Sequence, residues 1–283
     1  MNIASLENKL REETGSDWTI GISTLLSPYN PVKGVDELLE ADLNLGRIEI
    51  ALVRQLENED RVVEKLVELG EKHDLLYSVH TPFLYDDLAH PKKRVRGVYV
   101  DEGKKAIDFA ASIGARRVVF HPGEFFFRQN LPPLELFEPF KKSRRSYLER
   151  SLKSLRKLST HGSSRGVKLL IENLPHGLCN RSEDLEYLLS RVENSNFIMD
   201  IGHANVSDSF EELIELKPRY FHFNDNDGEV DDHRPLGEGN IDLSFLMTQL
   251  KGYGGDKTII FELYSLEDVL ASLEVFENIL HRI

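Results

Sequence analysis

A chain of 283 residues with 40% hydrophobic and 29% charged residues has the composition of an ordinary folded domain, and its net charge of −13 argues against a polyanion as partner. No apolar run approaches the ~20 residues that a membrane helix requires. The one cysteine, Cys179, excludes an intramolecular disulfide and a thiolate zinc site, so any metal must rest on His, Asp and Glu.

Residues 1–17 carry scattered charges and no apolar core, unlike a signal or transit peptide. They read as an extra helix or a frayed lead-in to a domain at 18–283, and a cytoplasmic location is expected. From there, short β-branched runs alternate with helical stretches. The predicted strands are 18–23, 47–52, 75–80, 116–121, 167–172, 196–200, 219–223 and 258–263. Between them, Val62, Val63, Leu66, Val67 and Leu69 make one apolar stripe, and Ile107, Ala110, Ala111 and Ile113 another. Leu266, Val269, Leu270, Leu273, Val275 and Ile279 make a third. Ser265 with Asp268 three residues on marks a helix start, and Gly114 a helix end. The run from Lys141 to Arg145 reads as a solvated helix start.

Eight such units without a break in composition predict an α/β fold, a single (β/α)₈ TIM barrel. An open doubly wound sheet would carry a Gly-rich turn after the first strand, where this chain has Ser23-Thr-Leu-Leu-Ser27-Pro28. The strand ends then gain meaning. Glu49, His80, His121, Glu172, Asp200, His222 and Glu262 each close a strand, and a barrel brings all strand C-termini to one face. Asp200-Ile-Gly-His203 adds an imidazole three residues past a carboxylate, and Asp231-Asp-His233 adds two ligand types two apart. One histidine at a strand end is ordinarily a hydrogen-bonded core residue. Seven strands ending this way would bury charge at a cost of several kcal/mol each, which a dication offsets. His73, His90, His161, His176 and His281 lie on predicted helices or loops and are read as structural.

These segments resemble the xylose-isomerase-like barrels, a superfamily that joins sugar and sugar-phosphate isomerases and epimerases with endonuclease IV. The resemblance rests on Ser78-Val-His80-Thr-Pro-Phe, Val119-Phe-His121-Pro-Gly, Leu170-Ile-Glu172-Asn, Asp200-Ile-Gly-His203-Ala-Asn and His222-Phe-Asn-Asp225-Asn-Asp-Gly. Asp231-Asp-His233-Arg-Pro-Leu-Gly-Glu-Gly-Asn-Ile-Asp242 and Phe261-Glu262-Leu complete it. For the isomerases and epimerases it implies one Zn, Mn, Mg or Co ion on Glu172, Asp200, His222 and Glu262. Glu172 and Glu262 would then exchange a substrate proton through an enediolate, and His203 would touch a substrate oxygen. For endonuclease IV it implies up to three zinc ions on the same four residues together with His80, His121, His203, Asp231 and His233. All nine positions are filled.

The residues between the ligands favour the sugar branch. The nuclease follows its fifth-strand Glu-Asn with Thr-Ala-Gly-Gln-Gly, where this chain has Glu172-Asn-Leu-Pro-His-Gly. Asp86, Asp87, Asp225 and Asp227 are expected near the mouth, where they would repel a phosphate backbone. The expected activity is therefore metal-dependent isomerisation or epimerisation of a sugar, sugar phosphate or related hydroxy-carbonyl compound. His80, His121 and His203 would bind substrate or a second metal. An abasic-site nuclease is the alternative, and a metal-binding barrel without chemistry the second alternative. The expected partner is a small carbohydrate-like molecule, with nucleic acid only in the nuclease reading, no membrane, and a homo-oligomer in keeping with such barrels. The segment 124–142, with Phe125-Phe-Phe127, is expected to be a lid or a subunit contact.

Overall fold

The computed structural model describes residues 2–53, 56, 58–82, 87–124 and 138–282, those at 138–143 by backbone alone. The strands are β1 (Trp18–Ser23), β2 (Arg47–Ala51), β3 (Leu76–His80), β4 (Arg117–Phe120), β5 (Lys168–Glu172), β6 (Ser195–Asp200), β7 (Tyr220–Phe223) and β8 (Lys257–Phe261). They form a closed barrel in sequence order, every pair parallel, with β8 returning to β1. Each strand lies within two residues of the run read from the sequence.

The helices are α1 (Ile3–Thr14), α2 (Pro31–Glu40), α3 (Glu59–His73), α4 (Lys93–Ser112) and α5 (Glu138–Arg165). They continue with α6 (Ser182–Leu189), α7 (Ile201–Val206), α8 (Phe210–Ile214), α9 (Leu243–Gly252) and α10 (Leu266–Leu280). The N-terminal segment is helical, and Ile3, Leu6 and Leu10 of α1 are buried in the main core. The Ser265 hydroxyl accepts the Asp268 N–H at 3.1 Å to cap α10, and Gly114 follows α4 with φ 77. Among the described residues no helix is long and apolar enough to cross a membrane.

Alternation along the strands separates two apolar layers. Leu169, Ile171, Phe197, Met199, Phe221 and Phe223 face the helices in the main core. Val119, Leu170 and Ile198, with Tyr220 against them, fill the barrel interior. The intervening inward positions are polar, which is how a buried strand comes to end in Glu172, Asp200 or His222.

Two expectations need correction. Arg144 is not part of a solvated helix start: its guanidinium is held by Asp184 and donates to Asn180 at 2.8 Å. Asp87 and Asp225 are buried rather than at the mouth. Asp87 accepts the N–H groups of Ala89 and Glu124, and Asp225 accepts those of Asn226, Gly237 and Ile241. Asp225 spends both oxygens on backbone donors that the local loop leaves unpaired, while Asp87 spends Oδ1 alone and keeps Oδ2 buried without a partner. Asp227 is exposed and paired with Arg234. Asp86 and Phe125–Phe127, with most of the 124–142 segment, lie outside the described residues.

Candidate metal centre

Glu49, His80, Glu172, Asp200 and His222 occupy inward positions near the C-terminal ends of β2, β3, β5, β6 and β7, while His121 and Glu262 directly follow β4 and β8. His203 comes from the first turn of α7, where Asp200 is the N-cap and its Oδ1 accepts the His203 N–H at 2.7 Å. The glycine between them is forced by space: a Cβ at Gly202 would lie 1.9 Å from Asn224 Oδ1. Asn224 in turn donates to Asp200 Oδ2 at 3.0 Å. Asp231 and His233 belong to the loop after β7, whose two ends Asp225 ties together through Asn226, Gly237 and Ile241. His233 has a left-handed backbone, φ 48, a conformation uncommon for a histidine.

The fold brings all nine predicted ligands into groups of three or four, some of which share members. Glu172, Asp200, His222 and Glu262 form one, with His222 Nδ1 at 2.8 Å from Glu172 Oε1, 3.1 Å from Glu262 Oε2 and 3.9 Å from Asp200 Oδ2. His80 and His121 each place Nε2 3.1 Å from Glu172 Oε2, so Glu172 is shared between two groups. His203 and His233 place Nε2 3.0 and 3.4 Å from Asp231 Oδ2, completing the third.

A second regularity concerns the other ring nitrogens. His80 Nδ1 donates to the Thr81 carbonyl at 2.8 Å, His203 Nδ1 to the Asn173 carbonyl at 2.8 Å, and His233 Nδ1 to the Glu262 carbonyl at 2.9 Å. A carbonyl can only accept, so these nitrogens carry hydrogen and each Nε2 is the one aimed at the carboxylates. His222 is reversed. Its Nε2 meets Glu49 Oε1 at 2.8 Å, and Glu49 Oε2 also accepts from Ser78 at 2.9 Å. Holding one ring nitrogen so that the other can serve a metal is the usual outer arrangement of metal-binding histidines.

The electrostatics follow from burial set against pairing. Burial pushes Glu172 up, but the charge of His222 and hydrogen bonds from His121, His222 and His80 hold it well below the usual carboxylate range. Glu262 is also held low, burial being outweighed chiefly by His222. Burial opposes the charged form of His80 and His233, yet Glu172 raises the first and Asp231 the second to about 9. His203 and His222 are also raised well above the usual imidazole range, burial being outweighed chiefly by Asp200 for the first and Glu262 for the second, while His121 is pushed down by burial. Asp200 is pushed up to about 6, mainly by burial.

The donor set fits a divalent cation. Imidazole nitrogens and carboxylate oxygens without thiolate suit Zn, Mn, Co or Mg. Asp231 Oδ1 is buried with no hydrogen-bond partner, a lone pair that a cation would satisfy.

A cavity of about 350 Å³ opens on the centre, lined by His121, Glu124, Pro175, His176, His203 and Asp231. A larger one, about 630 Å³, lies away from the donors against α2 and α3. His176, read from the sequence as structural, is thus on the cavity wall. Tyr264, which the sequence reading passed over, packs its ring 5.2 Å from that of His233. Glu49 was visible as a strand-end carboxylate but not as the partner of His222.

Known proteins share this architecture. A D-tagatose 3-epimerase-like protein superposes with a TM-score of 0.77 at 25% identity, covering 93% of this chain and 97% of its own. The TTHB071 protein from Thermus thermophilus, in a crystal soaked with ZnCl₂, gives 0.69 at 27% identity, covering 93% and 97%. Sugar 3-epimerases of lower identity share the fold. An uncharacterised protein of Methanocaldococcus jannaschii, MJ1311, is 25% identical over 291 residues, covering 97% of this chain and 95% of its own length. The family model described as xylose isomerase-like TIM barrel matches residues 40–279. This chain therefore belongs to the xylose isomerase-like TIM barrel family.

Proposed function

We propose that this protein is a divalent-metal-dependent isomerase or epimerase acting on a sugar, sugar phosphate or related hydroxy-carbonyl compound. The observation that carries the reading is the approach of Glu172 and Glu262 to one point, His222 Nδ1, at 2.8 and 3.1 Å from strands three apart around the ring. Two carboxylates placed so can remove a proton from a substrate carbon and return one to it or to its neighbour. A cation held by Glu172, Asp200, His222 and Glu262 would supply Lewis acidity toward the adjacent substrate oxygens. His203 and His121 line the cavity beside this group and would orient the hydroxyls. A cavity of about 350 Å³ falls in the range of small-molecule sites. The epimerase-like structural neighbour and the neighbour soaked with zinc support the same assignment.

A second reading, a phosphoester-cleaving centre with up to three metals, is favoured by the two further donor groups that adjoin the first. Its acidic-mouth objection weakens, since Asp87 and Asp225 are buried.

One experiment separates the two. The metal-replete protein is incubated with ketoses, aldoses and their phosphates in deuterated water, and in parallel with a duplex carrying an abasic site. Deuterium incorporation that Glu262→Gln removes supports the isomerase. Strand incision that Glu262→Gln removes would replace it with the nuclease.

A further inference from the structure

We propose that the opposite, lower end of the barrel binds an oxyanion, a phosphate group, between Arg117 and Lys168, with Arg47 adding its charge from within electrostatic reach of Arg117. Arg47, Arg117, Lys168 and Tyr220 stand at the starting ends of β2, β4, β5 and β7, away from the metal-ligand ends. Arg117 and Lys168 are direct partners in the β4–β5 register, a like-charge pair on neighbouring strands. Both share the inward face with Val119 and Leu170, two residues further along. Arg47 also faces inward, since a Cβ built on Gly21 would meet its Cγ at 3.0 Å.

A cavity of about 420 Å³ opens here, lined by Arg116, Arg117, Lys168, Ser163, Asn194 and Tyr220, with no carboxylate on its wall. Arg47 lies within electrostatic reach of Arg117 and Tyr220, and only 8% of its surface is exposed. Its Nε is buried without a hydrogen-bond partner. Among the described residues, none of Arg47, Arg116, Arg117 and Lys168 forms an ion pair, while Arg11, Arg144, Arg234 and Lys251 all do. The carboxylates nearest Arg47 are engaged: Glu7 accepts the Ile20 N–H, and Glu49 holds Ser78 and His222. Burial, and then the charge of Arg117, lowers Arg47 to about 10.

A protein of net charge −13 thus keeps three cations, Arg116, Arg117 and Lys168, around one recess with no carboxylate on its wall, and a fourth, Arg47, within electrostatic reach of Arg117. Tyr220 Oη accepts from Arg117 Nε at 3.2 Å, which leaves the phenol proton free to donate. Guanidinium forks, an ammonium and a phenol converging in a partly buried recess suit the oxygens of a phosphate group.

The test uses the metal-loaded protein, titrated calorimetrically with inorganic phosphate and separately with glycerol 3-phosphate. The Arg117→Met/Lys168→Met protein keeps the side-chain stems and is expected to bind about tenfold more weakly. Phosphate should also raise the melting temperature of the parent protein more than that of the variant. Tighter binding of glycerol 3-phosphate would identify a phosphorylated metabolite as the source, and tighter binding of inorganic phosphate the free anion. Equal affinity of parent and variant, or no binding of either probe, overturns the proposal. Tungstate soaked into crystals gives the location directly. Anomalous density between Arg117 and Lys168 is expected, and density only at the metal ligands overturns the site. Because these residues lie away from the metal donors, failure here leaves the isomerase reading untouched.

Discussion

The two ends of the barrel solve the same electrostatic problem differently. At the upper end, carboxylates and imidazoles are interleaved: Glu172 touches His80, His121 and His222, Asp231 touches His203 and His233, and Glu49 holds the other nitrogen of His222. At the lower end, Arg117 stands beside Lys168 and within electrostatic reach of Arg47, and among the described residues none of the three forms an ion pair, Glu49 and Glu7 acting on Arg47 only at longer range. Between them lies the apolar layer of Val119, Leu170 and Ile198. Buried charge is tolerated where a partner of opposite sign is built in or supplied. The upper end holds a provisional set of partners that a cation can replace, and the lower end leaves that role to an anion.

The sharpest way to break this comparison is to remove a charge to which the proposed reaction assigns proton transfer. Glu262→Gln keeps the size and is expected to lower turnover by about 10²–10⁴-fold. Deuterium exchange in the substrate measures it, with circular dichroism confirming the fold. An active variant would remove Glu262 from the reaction.

Glu49→Ala asks whether the metal-binding set extends beyond the nine candidate ligands. Freeing His222 Nε2 should weaken metal affinity by about 10–100-fold, measured by chelator competition. Glu49→Gln should recover much of this, because its amide oxygen still accepts from the ring. Unchanged affinity in the alanine variant would make Glu49 a bystander.

A smaller effect is expected from Gly202→Ala, which pushes a methyl group into Asn224 and so disturbs Asp200. Overpacking of this kind costs about 1–3 kcal/mol, readable in a denaturant titration. A variant as stable as the parent would mean that Asn224 moves aside freely.

The smallest and most telling effect is that of pH. His80 and His233 are raised to about 9 in the metal-free fold. Their pairing therefore stabilises fully below the unfolded value of about 6.5 and is lost as pH rises through 9. The melting temperature of chelator-treated protein should fall across that window. The gain on adding metal should grow over the same window, since the cation displaces those protons. A melting temperature that rises between 6.5 and 9 without metal would contradict the pairing.

Much of this was legible in the sequence because a parallel barrel converts strand ends into neighbours. Once eight strands were placed, Glu172, Asp200, His222 and Glu262 had to converge. What stayed hidden depended on register and loop path. Glu49 and His222 lie 173 positions apart, and their contact requires knowing that β2 and β7 aim inward across the same ring. The Arg47-x-Glu49 alternation carried that signal, but an inward arginine has no meaning until Arg117 and Lys168 are seen beside it. The place of His176 on the cavity wall was hidden because a loop residue shows no periodicity. Asp87 and Asp225 were misjudged because acidity suggests solvent, while their actual partners are backbone N–H groups.

The loop closed by Asp225 has a consequence for how such centres diversify. The four-residue group is spread over four strands, so altering it means altering the barrel. Asp231 and His233 instead ride on one short segment fastened at its ends by a single carboxylate. Exchanging that segment would add or delete two of the three donors in the group of His203, Asp231 and His233 in one step, with no barrel strand touched. The number of candidate donor groups is in this sense a modular trait, set by one loop, while the four candidate ligands at the strand ends are set by the barrel.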